Sequence, residues 1–409
     1  MNMKKIAIMA ALAAFTFGLN AQSLMVESAF QDMNKGSLKK AKTEIDAASV
    51  HEKTKDDPKT WFYRAFIYAK IGDDAAKPKP KYKDLAPDWA DQAYESAMEC
   101  KRLDTDNEYS AKLKSVFAAV GIEYYNRARA LFDDKNYTES MQVAAKAVEM
   151  FNNGEEGKNA GEAMFVAGMS AMASHDTANV KKYFNPLVRK KTDKEQVYSI
   201  LFNIYKAEKN GKQAMSVASN YMKANKDDYR AYLLMAEGYL MDQNVEKGKE
   251  MINSALELTK DNADVYPTLL AQSAALLELT EDYAGAEAKY MESLQLKPVQ
   301  FEANFNMGKM FYNRAVDKVN GAPEPDPFDE SSLALYDKLV DESKELFRQS
   351  ITYLVKAVEY LDNLPEDQKP YHRTELANSL TALGTAYARV EMYAESKAAH
   401  ERVQKMQAE

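Results

Sequence analysis

The sequence predicts an all-α chain: a right-handed α-solenoid of about nine helix-turn-helix repeats. Three observations predict it. The first is composition, because 15 glycines and 12 prolines in 409 residues are too few for the frequent turns of an all-β protein. Helix formers such as Ala, Met, Leu, Glu and Lys dominate, and runs of β-branched residues are missing. The second is amphipathic spacing at three and four residues, broken by short polar turns. The third is an internal period of 34 residues, which marks stacked supersecondary units rather than an irregular bundle.

The clearest repeat runs from Tyr229 to Lys260. It reads as a helix over 231–241, a turn at Asp242-Gln243-Asn244 and a second helix over 246–258. Large residues (Tyr232, Met235, Tyr239, Ile252) alternate with small ones (Ala236, Gly248, Ala255). Two helices joined by so short a turn must approach closely, and small residues at the crossing allow it. The same register returns 34 residues earlier as Tyr198, Leu201, Tyr205, Ala214, Ala218 and Tyr221, with Phe202 where a small residue is expected. It returns again as Met164, Ala167, Gly168, Ala171, Val180, Phe184 and Leu187.

Further repeats are built on Tyr124, Ala128, Leu131, Ser140 and Ala144, and on Trp61, Ala65, Tyr68, Ala93, Ala97 and Cys100. A degenerate first repeat covers 24–48 and turns at Gly36. Towards the C-terminus come Ala286, Tyr290 and Ser293; then Met307, Gly308 and Phe311 with Ser350, Leu354 and Ala357; and last Leu380, Leu383, Gly384, Ser396 and His400. This pattern resembles the tetratricopeptide-repeat (TPR) consensus over nearly the whole chain.

Two insertions interrupt the array over 22–319 and the C-terminal region 333–409. The first, 73–88, holds the basic run Lys77-Pro78-Lys79-Pro80-Lys81-Tyr82-Lys83. Proline stiffens it towards an extended form. The second, 320–332, is an acidic counterpart, Ala322-Pro323-Glu324-Pro325-Asp326-Pro327, followed by one long helix over 333–361. That insertion and over-length helix resemble exported TPR proteins of gram-negative bacteria.

The N-terminus has the layout of a secretory signal peptide over 1–21. Lys4 and Lys5 precede an apolar run from Ile6 to Phe17 that is too short to span a bilayer, and Ala21 supplies the small residue for cleavage. Processing would begin the mature chain at Gln22, which excludes lipid attachment through an N-terminal cysteine, and would move the formal charge from −8 to −10. The expected location is the periplasm or the outer membrane's periphery, with no membrane span in the mature chain. An acidic chain without a basic stripe excludes nucleic acid as an expected partner. The single cysteine, Cys100, rules out an intramolecular disulfide and falls on an apolar stripe.

No motif for catalysis, cofactor or metal binding is found. Gly-Lys pairs lack the following Ser or Thr of a phosphate loop, and His51, His175, His372 and His400 lie in different repeats. The expected protein is therefore not an enzyme. In TPR proteins the first helix of each pair lines a concave groove. The resemblance implies that here the groove carries Phe62, Phe66, Tyr125, Arg129, Phe165, Met169, Asn203, Lys206, Leu233, Glu237, Phe305, Lys309 and Tyr312. The Lys/Asn/Lys/Arg set of the carboxylate-gripping TPR proteins is missing, so an extended or helical segment with apolar anchors fits better. The expected function is a scaffold or adaptor in an envelope complex. An alternative is an exported glycan-binding protein, suggested by 25 tyrosines.

Overall fold

The computed structural model describes residues 24–408 apart from 323 and 327, so the predicted signal peptide lies outside the described residues. These residues form eighteen α-helices in nine consecutive pairs and two short 3₁₀ turns, with no strand among them. The fold is an α-solenoid of TPR-like pairs. The chain divides into two compact halves, one ending at Ile204 and the other starting at Tyr205.

The N-terminal half contains α1 (24–34), α2 (Leu38–Ser49), α3 (Pro58–Ala75), α4 (Trp89–Leu103), α5 (Lys114–Asp133), α6 (Tyr137–Asn153), α7 (Gly157–Ala173) and α8 (Thr177–Arg189). The boundary falls within α9 (Glu195–Ala207). The C-terminal half continues with α10 (Gly211–Ala224), α11 (Tyr229–Met241), α12 (Val245–Thr259), α13 (Tyr266–Glu278) and α14 (Tyr283–Leu296). It ends with α15 (Phe301–Asn320), α16 (Glu330–Asp362), α17 (Arg373–Arg389) and α18 (Tyr393–Ala408).

The 34-residue register is visible in the backbone. His175, Lys209 and Gln243 lie 34 residues apart, and each adopts a left-handed conformation with φ of 56–58° in the turn between paired helices. The next residue in each case caps the return helix. Asp176, Asn210 and Asn244 accept hydrogen bonds from the backbone N–H groups of Asn179, Gln213 and Lys247, satisfying donors that a helix start leaves open.

Packing follows the large–small alternation. A Cβ added to Gly168 would meet the Phe184 ring at 2.1 Å, so this glycine is what lets α7 seat the aromatic of α8. Gly384 likewise seats the His400 ring. Phe202, the departure from the small-residue position, is fully buried. At Ser140 and Ser396 the small residue of the return helix does more than make room, whereas the buried Ser350 hydroxyl at the equivalent position has no hydrogen-bond partner among the described residues. Ser140 donates to the Ala128 carbonyl at 2.7 Å, and Ser396 does the same to Gly384 at 2.7 Å. Each ties its helix to a carbonyl twelve residues earlier, without leaving a buried hydroxyl unpaired.

The predicted insertions begin later than the sequence suggested. Helix α3 continues through Ala75 because Ile71, Gly72 and Asp74 are buried against its neighbours, so the first loop is 76–88 rather than 73–88. Helix α15 reaches Asn320, and Asp329 caps α16, so the second loop is 321–329 and the long helix starts three residues earlier than predicted. Cys100 is buried, and burial pushes its thiol up to about 12, which leaves little thiolate at neutral pH.

Candidate functional site

The groove residues taken from the sequence separate into two kinds. In the N-terminal half, α5 and α7 lie side by side and enclose a cleft of about 200 Å³ lined by Arg129, Phe132, Asp133, Phe165, Val166 and Met169. Arg129, Phe165 and Met169 are among the residues named from the register. Phe132, Asp133 and Val166 were not, because adjacent helices also contribute residues from the flank of the first-helix stripe, and only the helix spacing reveals them.

The cleft is held from below. Ser140 passes its proton to the Ala128 carbonyl, so the 2.8 Å contact between its oxygen and Ser170 Oγ is made with Ser170 as donor. This buried chain fastens α5, α6 and α7 together. Phe165 stacks on Phe184 at 6.1 Å between centroids, and Phe184 rests on Gly168. One face of Phe165 is therefore packed, while the Lys194 ammonium lies 4.9 Å from its ring and pairs with Glu162 at 3.1 Å. At the rim, the Arg129 guanidinium sits 5.8 Å from the Tyr125 ring, and no carboxylate among the described residues pairs with it. The cleft offers an apolar floor with opposite charges, Arg129 and Asp133, one helical turn apart. That arrangement suits recognition of an apolar side chain with polar flanks.

Elsewhere the register residues are already engaged. Phe62 contacts Phe66 and Tyr109 at 4.9 and 5.4 Å, so an aromatic from the loop after α4 covers it. In the C-terminal half, Lys206 pairs with Glu237, and Leu233 packs against the cluster of Ala236, Ile252 and Leu269. Phe305 stacks on Phe301 at 5.4 Å and joins the core of Leu354, Val358, Leu380 and Leu383. Tyr312 meets Phe347 edge-on at 5.6 Å. Lys309 lies 5.8 Å from the Phe305 ring. Its charge also acts on Glu278, whose carboxyl burial raises above the usual range while a hydrogen bond from Tyr290 and the Lys309 charge oppose the shift. Asn203 is exposed. Many tyrosines that might have stacked on sugars are core residues, including Tyr68, Tyr124, Tyr198, Tyr205, Tyr221 and Tyr290.

Among the described residues, no group of three or more His, Cys, Asp or Glu could hold a metal ion, and no helix is long and apolar enough to cross a membrane. No family model matches the chain, and no curated protein matches it. Solved structures align over most of its length at low similarity. Yeast Tom70 is 12% identical with a TM-score of 0.37, covering 99% of this chain and 86% of its own. The human IFIT1 dimer with m7Gppp-AAAA is 14% identical with a TM-score of 0.30, covering 95% and 91%. Scores this low say nothing about ligands, and the TPR-like fold rests on the helix pairs themselves.

Proposed function

We infer that this chain is a non-catalytic protein-interaction scaffold that holds a peptide segment or protein through the α5–α7 cleft. The supporting observation is convergence: Arg129, Phe165 and Met169, chosen for their repeat positions alone, line one cleft that is open and partly apolar. A bound segment would place an apolar side chain against Phe165 and Met169, with polar groups meeting Arg129 and Asp133. The chain exports itself through residues 1–21 and works in the cell envelope, as the basic and apolar leader suggests.

The test is a crosslinked pulldown from envelope extracts with the mature chain and with the Phe165→Ala/Met169→Ala variant. The expected result is one protein recovered in near-stoichiometric yield by the parent chain and lost with the variant, while circular dichroism stays unchanged. Equal recovery by both would reject the cleft. Detection of the unprocessed chain in a cytoplasmic fraction would reject the location.

A further inference from the structure

The two insertions carry opposite charge, and hydrogen bonds restrain described residues in each. In the N-terminal half, Tyr82 pins the basic loop. Its backbone N–H donates to Asp74 Oδ2 at 2.7 Å, and its phenol donates to the Gly36 carbonyl at 2.8 Å. This brings the loop against α2 and forms a shallow depression of about 580 Å³ lined by Ser37, Lys39, Lys40, Thr43, Glu44 and Tyr82. Lys40 is neutralised by Asp32 and Glu44, and Lys77 by Asp74. Lys39, Lys79 and Lys83 are exposed and enter no ion pair among the described residues. The aliphatic stems of lysines and the Tyr82 ring supply apolar wall beneath a basic rim.

In the C-terminal half, the acidic loop displays Glu324, Asp326, Asp329 and Glu330 with no basic residue among them. Ser332 Oγ accepts from the Asp326 N–H, Asp326 Oδ1 accepts from the Phe328 N–H, and Asp329 caps α16 through the Ser331 N–H. Phe328 is 97% exposed. A fully exposed ring gains from burial when it docks, and the hydrogen bonds at Asp326, Phe328 and Ser331 already restrain the backbone around it.

We propose that these insertions bind each other between two copies of this chain: the Phe328 ring of one copy enters the Tyr82 depression of another, and Glu324 and Glu330 meet Lys79 and Lys83. The occupant is chosen by charge complementarity. The chain carries one acidic and one basic proline-punctuated insertion, and each leaves charges unanswered. This surface is separate from the α5–α7 cleft, so the Phe165→Ala/Met169→Ala variant should leave it unchanged.

Sedimentation velocity of the full mature chain over a concentration series tests the proposal. Self-association is expected at low salt and should weaken about tenfold in 1 M salt, where the Debye length falls to about 3 Å. Phe328→Ala should weaken it about tenfold. Lys79→Glu/Lys83→Glu and Glu324→Lys/Glu330→Lys should each be monomeric, and mixing the two variants should restore association, because each then offers what the other lacks. All five side chains are exposed, so circular dichroism should not change. Three results would overturn the proposal: a chain that is monomeric throughout, association that survives both charge reversals, or a synthetic peptide of residues 320–332 that binds a chain which itself stays monomeric.

Discussion

The cleft between α5 and α7 and the region around α15 and α16 start from the same register positions and end differently. Phe165 and Phe305 both belong to the predicted groove stripe. Phe165 stacks on Phe184, carries the Lys194 ammonium over its ring and still lines the open cleft. Phe305, half-buried as Phe165 is, packs instead against Phe301 and against the cluster of Leu354 and Val358 of the long α16 with Leu380 and Leu383 of α17. What differs is the neighbour, not the residue. A repeat position decides which way a side chain leaves its helix, but the length and placement of the following helices decide whether that side chain meets protein or solvent.

The comparison is broken most directly by truncating each ring. Phe305→Ala should cost about 2–3 kcal/mol, somewhat below a fully buried Phe→Ala because Phe305 is only half-buried. Phe165→Ala should cost about 1 kcal/mol, since part of its ring lines the cleft rather than packed core. Urea denaturation of both variants measures this. Equal losses would mean that Phe165 is core and the cleft is a packing gap.

The support beneath the cleft gives the next effect. A side chain at residue 168 collides with the Phe184 ring that carries Phe165. Gly168→Leu should therefore destabilise by about 1–3 kcal/mol and also disturb the cleft, whereas Ala236→Leu, at the equivalent position in the other half, should destabilise by a similar amount without touching it. If both variants melt like the parent chain, the register itself is misplaced.

Tyr290 and Glu278 sharpen the picture of the C-terminal half through pH. Tyr290 is fully buried, and burial followed by its hydrogen bond to Glu278 pushes its phenol up. Burial also raises Glu278. A raised carboxyl contributes stability that is present below its unfolded value and is lost as pH rises through its folded value. Tyr290→Phe removes the donor that eases the ionised form. The loss should be near zero at pH about 4 and grow to about 1 kcal/mol at pH about 8, because only the carboxylate needs the donor. A pH-independent loss would assign the effect to packing alone.

Much of this was legible in the sequence. The nine pairs, the turns at Gly36 and Gln243, and the glycine crossings follow from a local period, and a period is a property of sequence. The serine ties were not legible as bonds: Ser140 and Ser396 read only as small residues, although a hydroxyl at a close helix crossing was the available signal. The buried polar network was missed altogether. Arg64 reaches Asp46, Gln92 and Ser96 across three helices, contacts that no spacing rule encodes. The cleft was half legible, because Arg129, Phe165 and Met169 depend on helix phase while Phe132, Asp133 and Val166 depend on how α5 and α7 lie together.

The smallest expected effect concerns the rim. Arg129 is exposed, and its one described contact is with the Tyr125 ring at 5.8 Å, worth roughly 0.5 kcal/mol at an exposed site. Arg129→Ala should therefore shift stability by no more than about 0.5 kcal/mol. Its effect on a captured partner should appear elsewhere. A charge at the edge of an apolar cleft accelerates encounter more than it prolongs residence, so the variant should slow association and flatten its salt dependence while dissociation changes little. Phe165→Ala/Met169→Ala should do the reverse, because truncating buried anchors mainly speeds dissociation. Surface plasmon resonance at two salt concentrations, with the recovered partner immobilised, separates the two behaviours. Faster dissociation from Arg129→Ala at unchanged association would mean that the guanidinium is buried by the partner and acts as an anchor rather than as a guide.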